Sequence, residues 1–235
     1  STWDYTTMYL IEGEDKAVLI DTGTRCADLD KIVGQITGKP LEVIVTHMHP
    51  DHAGCIKYFD KVWMHRADTV LVPQHAADYQ GEFLYMEEGQ VFDLGGRKLE
   101  VAWMPGHTPG SVVLLDKANG DCYSGDAFGS GEVWLQCVPM SPIATFHESC
   151  CRMEKLMKEG HIKDIWCGHY PYLKSSLPLA YIQTMIRISH RLMNGDQEGS
   201  EPYSNYFIKM PPTARKLAEG RAMIVYDSTN IPEAR

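Results

Sequence analysis

The stretch Thr46-His47-Met48-His49-Pro50-Asp51-His52-Ala53-Gly54 constrains this chain more than any other. Four side chains able to bind transition metals fall within six residues, in the pattern H-x-H-x-D-H. Leu41-Glu42-Val43-Ile44-Val45 precedes it, a short β-branched run that reads as a buried strand. The motif therefore sits on a loop at the C-terminal end of a strand, where an open α/β sheet places its ligands. In an extended segment side chains alternate with period two, so His47 and His49 point the same way. Pro50 then turns the chain, and Asp51 with His52 can face a second point. Such a loop can serve two neighbouring metals, with imidazoles on one and a mixed carboxylate–imidazole set on the other.

Further ligand types recur downstream in turn-like contexts. Met104-Pro105-Gly106-His107-Thr108-Pro109-Gly110 is a loop fixed by two prolines and two glycines that presents one imidazole. Cys122-Tyr123-Ser124-Gly125-Asp126 reads as a strand ending in a carboxylate, and Ile162–Cys167 as a strand leading into Gly168-His169-Tyr170.

The remaining segments read as a mixed α/β chain. Met8–Ile11 and Lys16–Ile20 form a hairpin, residues 26–37 a helix, Ala53–Phe59 a short helix, and Lys61–His65 a strand. Residues 66–89 are ambiguous, and their His75, Tyr79, Phe83, Tyr85 and Met86 are expected to wall an apolar pocket or to pack in the core. Gln90–Asp93 and Lys98–Trp103 form a second hairpin, Ser111–Leu115 is a strand, 127–146 a loop over the active face, and His147–Glu159 a helix. Beyond Lys174, Leu179–Met193 carries an amphipathic stripe at Ile182, Met185, Ile186, Leu192 and Met193. A second helical patch (213–219) and a strand at Arg221–Tyr226 follow. The domain organisation expected is a main domain over 1–173 and an extension over 174–235. The extension packs on the main domain as a lid or as the surface of a homodimer.

Charge bears on the substrate. The formal net charge is −9 and no Lys/Arg run appears, which disfavours a nucleic-acid partner and leaves a small-molecule substrate. No apolar segment reaches the roughly 18–20 residues of a membrane span, and no signal-peptide pattern precedes Trp3. Seven cysteines without a C-x-x-C pair argue against a disulfide framework and for a reducing, cytoplasmic compartment. The vicinal Cys150 and Cys151 read as reduced helix residues.

In order and spacing, His47-x-His49-x-Asp51-His52, His107, Asp126 and His169 resemble the metallo-β-lactamase superfamily of hydrolases, over residues 5 to about 173. The resemblance implies a four-layer αββα sandwich and two metals per chain. His47, His49 and His107 would hold the first, Asp51, His52 and His169 the second, with Asp126 bridging. It also implies that Asp21, in Asp21-Thr22-Gly23, supports the metal loop. Ligands of nitrogen and oxygen alone suit zinc, and also accept iron or manganese. Two metals roughly 3.5–4 Å apart lower the pKa of a shared water toward ~7, supplying a nucleophile for a carbonyl carbon. Asp51 would orient it, and Tyr170, Tyr203, Tyr206 or Tyr226 would donate to the oxyanion. The flavin-linked diiron branch usually has Glu where His49 stands. True zinc β-lactamases often carry Cys or Ser where Asp126 stands, so the pattern is closer to thioesterase (glyoxalase-II-like) and lactonase branches. A mononuclear-iron persulfide dioxygenase and a true β-lactamase are the alternatives. Arg187 and Arg191 lie where glyoxalase-II-type enzymes bind glutathione, without matching their pattern.

Overall fold

The structure, a computed structural model, describes residues 5–205 and 210–232. The chain opens with the antiparallel hairpin β1 (Tyr9–Glu12) and β2 (Ala17–Ile20), then crosses through α1 (Leu29–Ile36) to β3 (Leu41–Ile44), parallel to β2. After β3 come the single turn α2 (Pro50–Ala53), β4 (Lys61–His65), α3 (Val72–His75) and β5 (Glu82–Met86), completing a sheet of order β1-β2-β3-β4-β5. The second sheet is built from the antiparallel strands β6 (Val91–Asp93), β7 (Lys98–Trp103), β8 (Val112–Asp116) and β9 (Asp121–Gly125). The chain then leaves through β10 (Glu132–Trp134) and returns along α4 (Ile143–Lys158) to β11 (Asp164–Cys167), parallel to β9 at the sheet edge. Past α5 (Tyr170–Leu173) and α6 (Leu179–Met193), strands β12 (Glu201–Pro202), β13 (Ala214–Glu219) and β14 (Ala222–Asp227) join β10 in a third sheet, β10-β14-β13-β12.

Period-two alternation accounts for the layering. Val18 and Ile20 of β2 meet Val112 and Leu114 of β8 between the two large sheets. Leu19 faces the other way, onto Leu29 and Val33 of α1. Val113 and Leu115 turn outward onto Phe146 and Met153 of α4 and Ile182 and Ile188 of α6. The result is the four-layer αββα sandwich, with each fully buried aliphatic side chain contributing about 1.5–3 kcal/mol. Residues on both sides of position 174 share the core beneath α4, and the α6 stripe is buried there within the chain. That stripe alone therefore does not call for a homodimer. Among the described residues, no helix is long and apolar enough to cross a membrane.

Several local expectations are corrected. Residues 213–219 are not helical: Ala214–Glu219 is a strand, paired with β14 from Ala214 opposite Asp227 to Glu219 opposite Ala222. Ala, Lys, Leu and Glu favour helix by tenths of a kcal/mol each, and a ladder of six pairs closed through Gly220 at φ +61° outweighs that. The helix expected at Ala53–Phe59 stops at Ala53 and is followed by a 3₁₀ turn at Ile56–Tyr58. The 127–146 loop contains β10, and α4 already begins at Ile143. Of the two alternatives for residues 66–89, Tyr79, Phe83 and Tyr85 pack on the core beneath the first sheet and Met86 is buried between the sheets, whereas His75 lines a cleft.

Candidate metal centre

Four loops meet at one end of the sandwich. The first follows β3, where His49 is extended at φ −70° and ψ 150° and Pro50 opens α2. Proline suits that first helical position because its missing N–H has no partner there anyway. The turn places Asp51 and His52 in a neighbouring group, with the His52 ring still 4.2 Å from that of His47. The second loop joins β7 to β8 and carries His107. The third and fourth follow β9 and β11 and carry Asp126 and His169. Gly168 lets the last loop approach, since a Cβ there would lie 2.5 Å from His52 Cε1 and 2.6 Å from Asp126 Oδ1.

The seven side chains fall into two groups, His47–His49–His107 and Asp51–His52–Asp126–His169. Within each group the ligand atoms lie within 4.8 Å of one another. Asp126 Oδ2 stands 3.2 Å from His169 Nε2, 3.5 Å from His52 Nε2 and 3.9 Å from His107 Nε2, so it faces both groups. Asp51 Oδ2 is 3.3 Å from His169 Nε2. His47 Nε2, His52 Nε2, His169 Nδ1 and Asp126 Oδ1 are buried and make no hydrogen bond. Buried polar atoms without a partner cost several kcal/mol in a closed core, and His169 turns its Nε2, not the unpartnered Nδ1, toward Asp51 and Asp126. Nitrogen and oxygen donors converging on two points fit two divalent cations.

Surrounding hydrogen bonds aim these rings. The Asp21 carboxylate accepts from the Thr46 backbone N–H at 2.7 Å, from the Thr46 hydroxyl at 3.0 Å and from His52 Nδ1 at 2.7 Å. The Thr46 hydroxyl, its proton given to Asp21, accepts from His47 Nδ1 at 3.2 Å. His107 Nδ1 donates to the Trp134 carbonyl at 2.8 Å. Each bond fixes the tautomer that leaves Nε2 for the centre. Sequence reasoning missed two supports. One is the Trp134 carbonyl. The other is Asp68, whose buried carboxylate accepts from Met48 N at 2.9 Å, Thr108 Oγ1 at 3.0 Å and Gly110 N at 2.6 Å, tying the His49 loop to the His107 loop. Burial pushes the Asp68 carboxyl up to about 6.

Electrostatics separates the groups. Burial, reinforced by the neighbouring imidazoles, holds His47 well below its ordinary pKa and His49 at about 3. Burial also lowers His107. In the other group burial would raise Asp51, but the imidazoles of His52 and His169 outweigh it and bring the carboxyl to about 2. Burial likewise opposes the charge on Asp126, and His169 and His52 hold it well below the carboxylate range. The carboxylates in turn raise His52 strongly and lift His169 to about 10, against burial.

Both groups open into a cleft of about 700 Å³, whose walls include Gln74, His75, Trp134, Val138, Tyr172, Arg221 and Met223. Tyr170 does not line this cleft and packs its ring on Trp166, 5.9 Å between centroids. The Tyr203 hydroxyl donates to Glu132 at 3.0 Å, and the buried Tyr226 donates to Gln197 at 3.1 Å. Tyr206 lies outside the described residues. Arg187 and Arg191 pair with Glu219 and Asp196, away from the cleft. All seven cysteines are free thiols.

Comparison with known proteins gives a consistent picture. The family model of the metallo-beta-lactamase superfamily matches residues 1–136. The human acyl-coenzyme A thioesterase MBLAC2 is 26% identical over 202 residues, covering 69% of this chain and 72% of that protein. A hydroxyacylglutathione hydrolase of Aeromonas salmonicida is 27% identical over 179 residues, covering 74% of this chain and 64% of its own length. Among solved structures, TTHA1623 in a di-iron-bound form superposes with a TM-score of 0.59 at 27% identity, over 74% of this chain and 89% of that one.

Proposed function

The chain belongs to the metallo-β-lactamase superfamily, and from that premise we propose that it is a binuclear metal-dependent hydrolase of carboxylic thioesters, esters or lactones. The observation that carries the reading is the convergence of two ligand groups, with buried unpartnered atoms of His47, His52 and Asp126 among them, on one cleft. His47, His49 and His107 would hold one cation, Asp51, His52 and His169 the other, and Asp126 would serve both. Zinc is the cation proposed, because every donor is nitrogen or oxygen and the first group is all imidazole. When bound, the cations supply Lewis acidity that ionises water near neutral pH and polarises an acyl carbonyl.

The chain's own groups do the rest. Asp51 stays ionised and accepts a hydrogen bond from the attacking water, orienting it toward the cleft. Asp21 and the Trp134 carbonyl keep the His52 and His107 rings from turning as charge develops. Burial raises the pKa of the Tyr172 phenol, which lines the cleft. The phenol remains a donor at neutral pH for the oxygen that gains charge. Support for thioesters comes from relatives named for acyl-coenzyme A and hydroxyacylglutathione, and from a carboxylate at Asp126 in place of cysteine.

Elemental analysis of the purified protein, followed by a panel of thioester, ester, lactone and cephalosporin substrates, tests this reading. The expected result is close to two metal ions per chain, with thioester or lactone turnover exceeding β-lactam turnover. One iron per chain without hydrolysis would replace it with a persulfide dioxygenase-like oxidoreductase, and dominant cephalosporin turnover with a true β-lactamase.

A further inference from the structure

A second cluster of metal-ligating side chains lies on the outer helical layer, where α4 packs on α6. His147 and Cys151 are one helical turn apart on α4, with Cys151 Sγ 3.5 Å from His147 Nε2. Zinc binds a thiolate at about 2.3 Å and an imidazole at about 2.0–2.1 Å, so two such ligands on a tetrahedral ion stand roughly 3.5 Å apart. The pair already has that separation.

The other face of the His147 ring is also set. Its Nδ1 lies 2.9 Å from Oγ of Ser189, and Ser189 is fully buried on α6. The Ser189 hydroxyl donates to the Met185 carbonyl at 2.7 Å, so it accepts from Nδ1–H of His147. That bond fixes the tautomer whose bare Nε2 faces the thiol, as outer hydrogen bonds do for metal-bound histidines. From α6, the exposed His190 ring stands 6.0 Å from the His147 ring, centroid to centroid. His52 and His169, which share one ligand group in the cleft, are 5.4 Å apart. As placed, His190 does not reach the pair, and its side chain must turn to bring a ring nitrogen there; the Asn194 amide lies 3.4 Å from each ring nitrogen.

We propose that His147, Cys151 and His190 form a mononuclear site for a thiophilic transition-metal ion of the zinc class, separate from the cleft. A mixed thiolate–imidazole set selects such an ion over magnesium or calcium. Binding releases the Cys151 thiol proton to solvent and leaves His147 neutral as it stands, with water completing the coordination. The site clips α4 to α6. The clip has a structural consequence, because α4 supports the His107 loop through Ser149 Oγ, which donates to the Pro105 carbonyl at 2.7 Å, and through Phe146 under Gly106.

Co²⁺ titration of the full chain tests the assignment by absorption alone, with no need of a substrate. The seven cleft ligands are nitrogen and oxygen donors, so a thiolate-to-Co²⁺ charge-transfer band in the near ultraviolet reports on this site once Cys137, a cysteine of the cleft wall, is controlled for. The band is expected in the wild type, absent in Cys151→Ser and His147→Ala, and intact in Asp126→Asn and Cys137→Ser. His190→Ala should weaken Co²⁺ binding at the band at least tenfold, with circular dichroism checking the fold of every variant. The proposal is overturned if the saturated wild type shows no band, if the band survives Cys151→Ser, if it vanishes in Cys137→Ser, or if His190→Ala leaves its titration unchanged.

Discussion

His47, His49 and His107 are three imidazoles kept neutral by burial, whereas Asp51, His52, Asp126 and His169 set two carboxylates against two imidazoles that hold protons. The first group relies on position. Its rings are aimed by a hydroxyl and a backbone carbonyl, and its loops are tied by Asp68. The second relies on charge, with the Asp21 carboxylate behind His52 and Asp126 in front. One set can accept a cation without losing a proton, while the other must exchange protons for it. The two halves of one centre should therefore load and fail differently.

Removing the shared charge should have the largest effect. Asp126→Asn keeps the shape but leaves two dications without the anion between them, so the more weakly held metal should be lost. Turnover should fall roughly a hundredfold or more. Metal content and kcat measured on the same preparation check this, with circular dichroism for the fold. Two metals and near-normal turnover would remove Asp126 from between the groups.

Acidity should separate the halves next. Raised imidazole pKa values mean that protons compete with the cation, and the competition strengthens as pH falls. With His169 at about 10, affinity at the second group should drop about tenfold per pH unit for each displaced proton between pH 8 and 6. The first group, with His49 at about 3, should change little over that range. Calorimetry in buffers of different ionisation enthalpy counts the protons released per metal. Equal release at both sites would erase the distinction.

Asp21→Asn should act more narrowly. Asp21 sits at φ +62°, a left-handed conformation that asparagine tolerates, so the backbone is spared. The amide cannot accept from both Thr46 and His52, and metal affinity at the second group should fall ~10–100-fold, with a smaller loss at the first. Chelator competition resolves the two. The smallest effect is expected at Tyr170→Phe. Its ring packs on Trp166 outside the cleft wall, so kcat should change less than about threefold, whereas Tyr172→Phe should lower kcat more than it changes KM.

The legible part of the site is the part that chemistry encodes locally. H-x-H-x-D-H is a ligand pattern within one turn of chain, and His107, Asp126 and His169 stand out because each follows a strand or a Pro/Gly loop. Asp68 carries no such mark. It sits in a 3₁₀ turn in a segment without periodicity, and its partners lie 20 to 42 residues away. Trp134 acts through its backbone carbonyl, which no residue type announces. The layering was legible for the same reason as the first motif, since alternation in β2 and β8 is local. The third sheet was not, because β10 has three residues, too few to show a period, and Ala214–Glu219 has a helix former's composition.

The parallel pairing of β10 with β14 has a consequence for synthesis on the ribosome. The carbonyl that orients His107 belongs to Trp134, whose partner in the ladder is Val225, some ninety residues later. All seven ligand side chains precede β14 in the sequence, so a nascent chain presents them before the strand beside this carbonyl has been made. His107 then lacks a settled acceptor, and the cleft lacks Arg221 and Met223. The finished site thus requires β14 as well as the seven ligands.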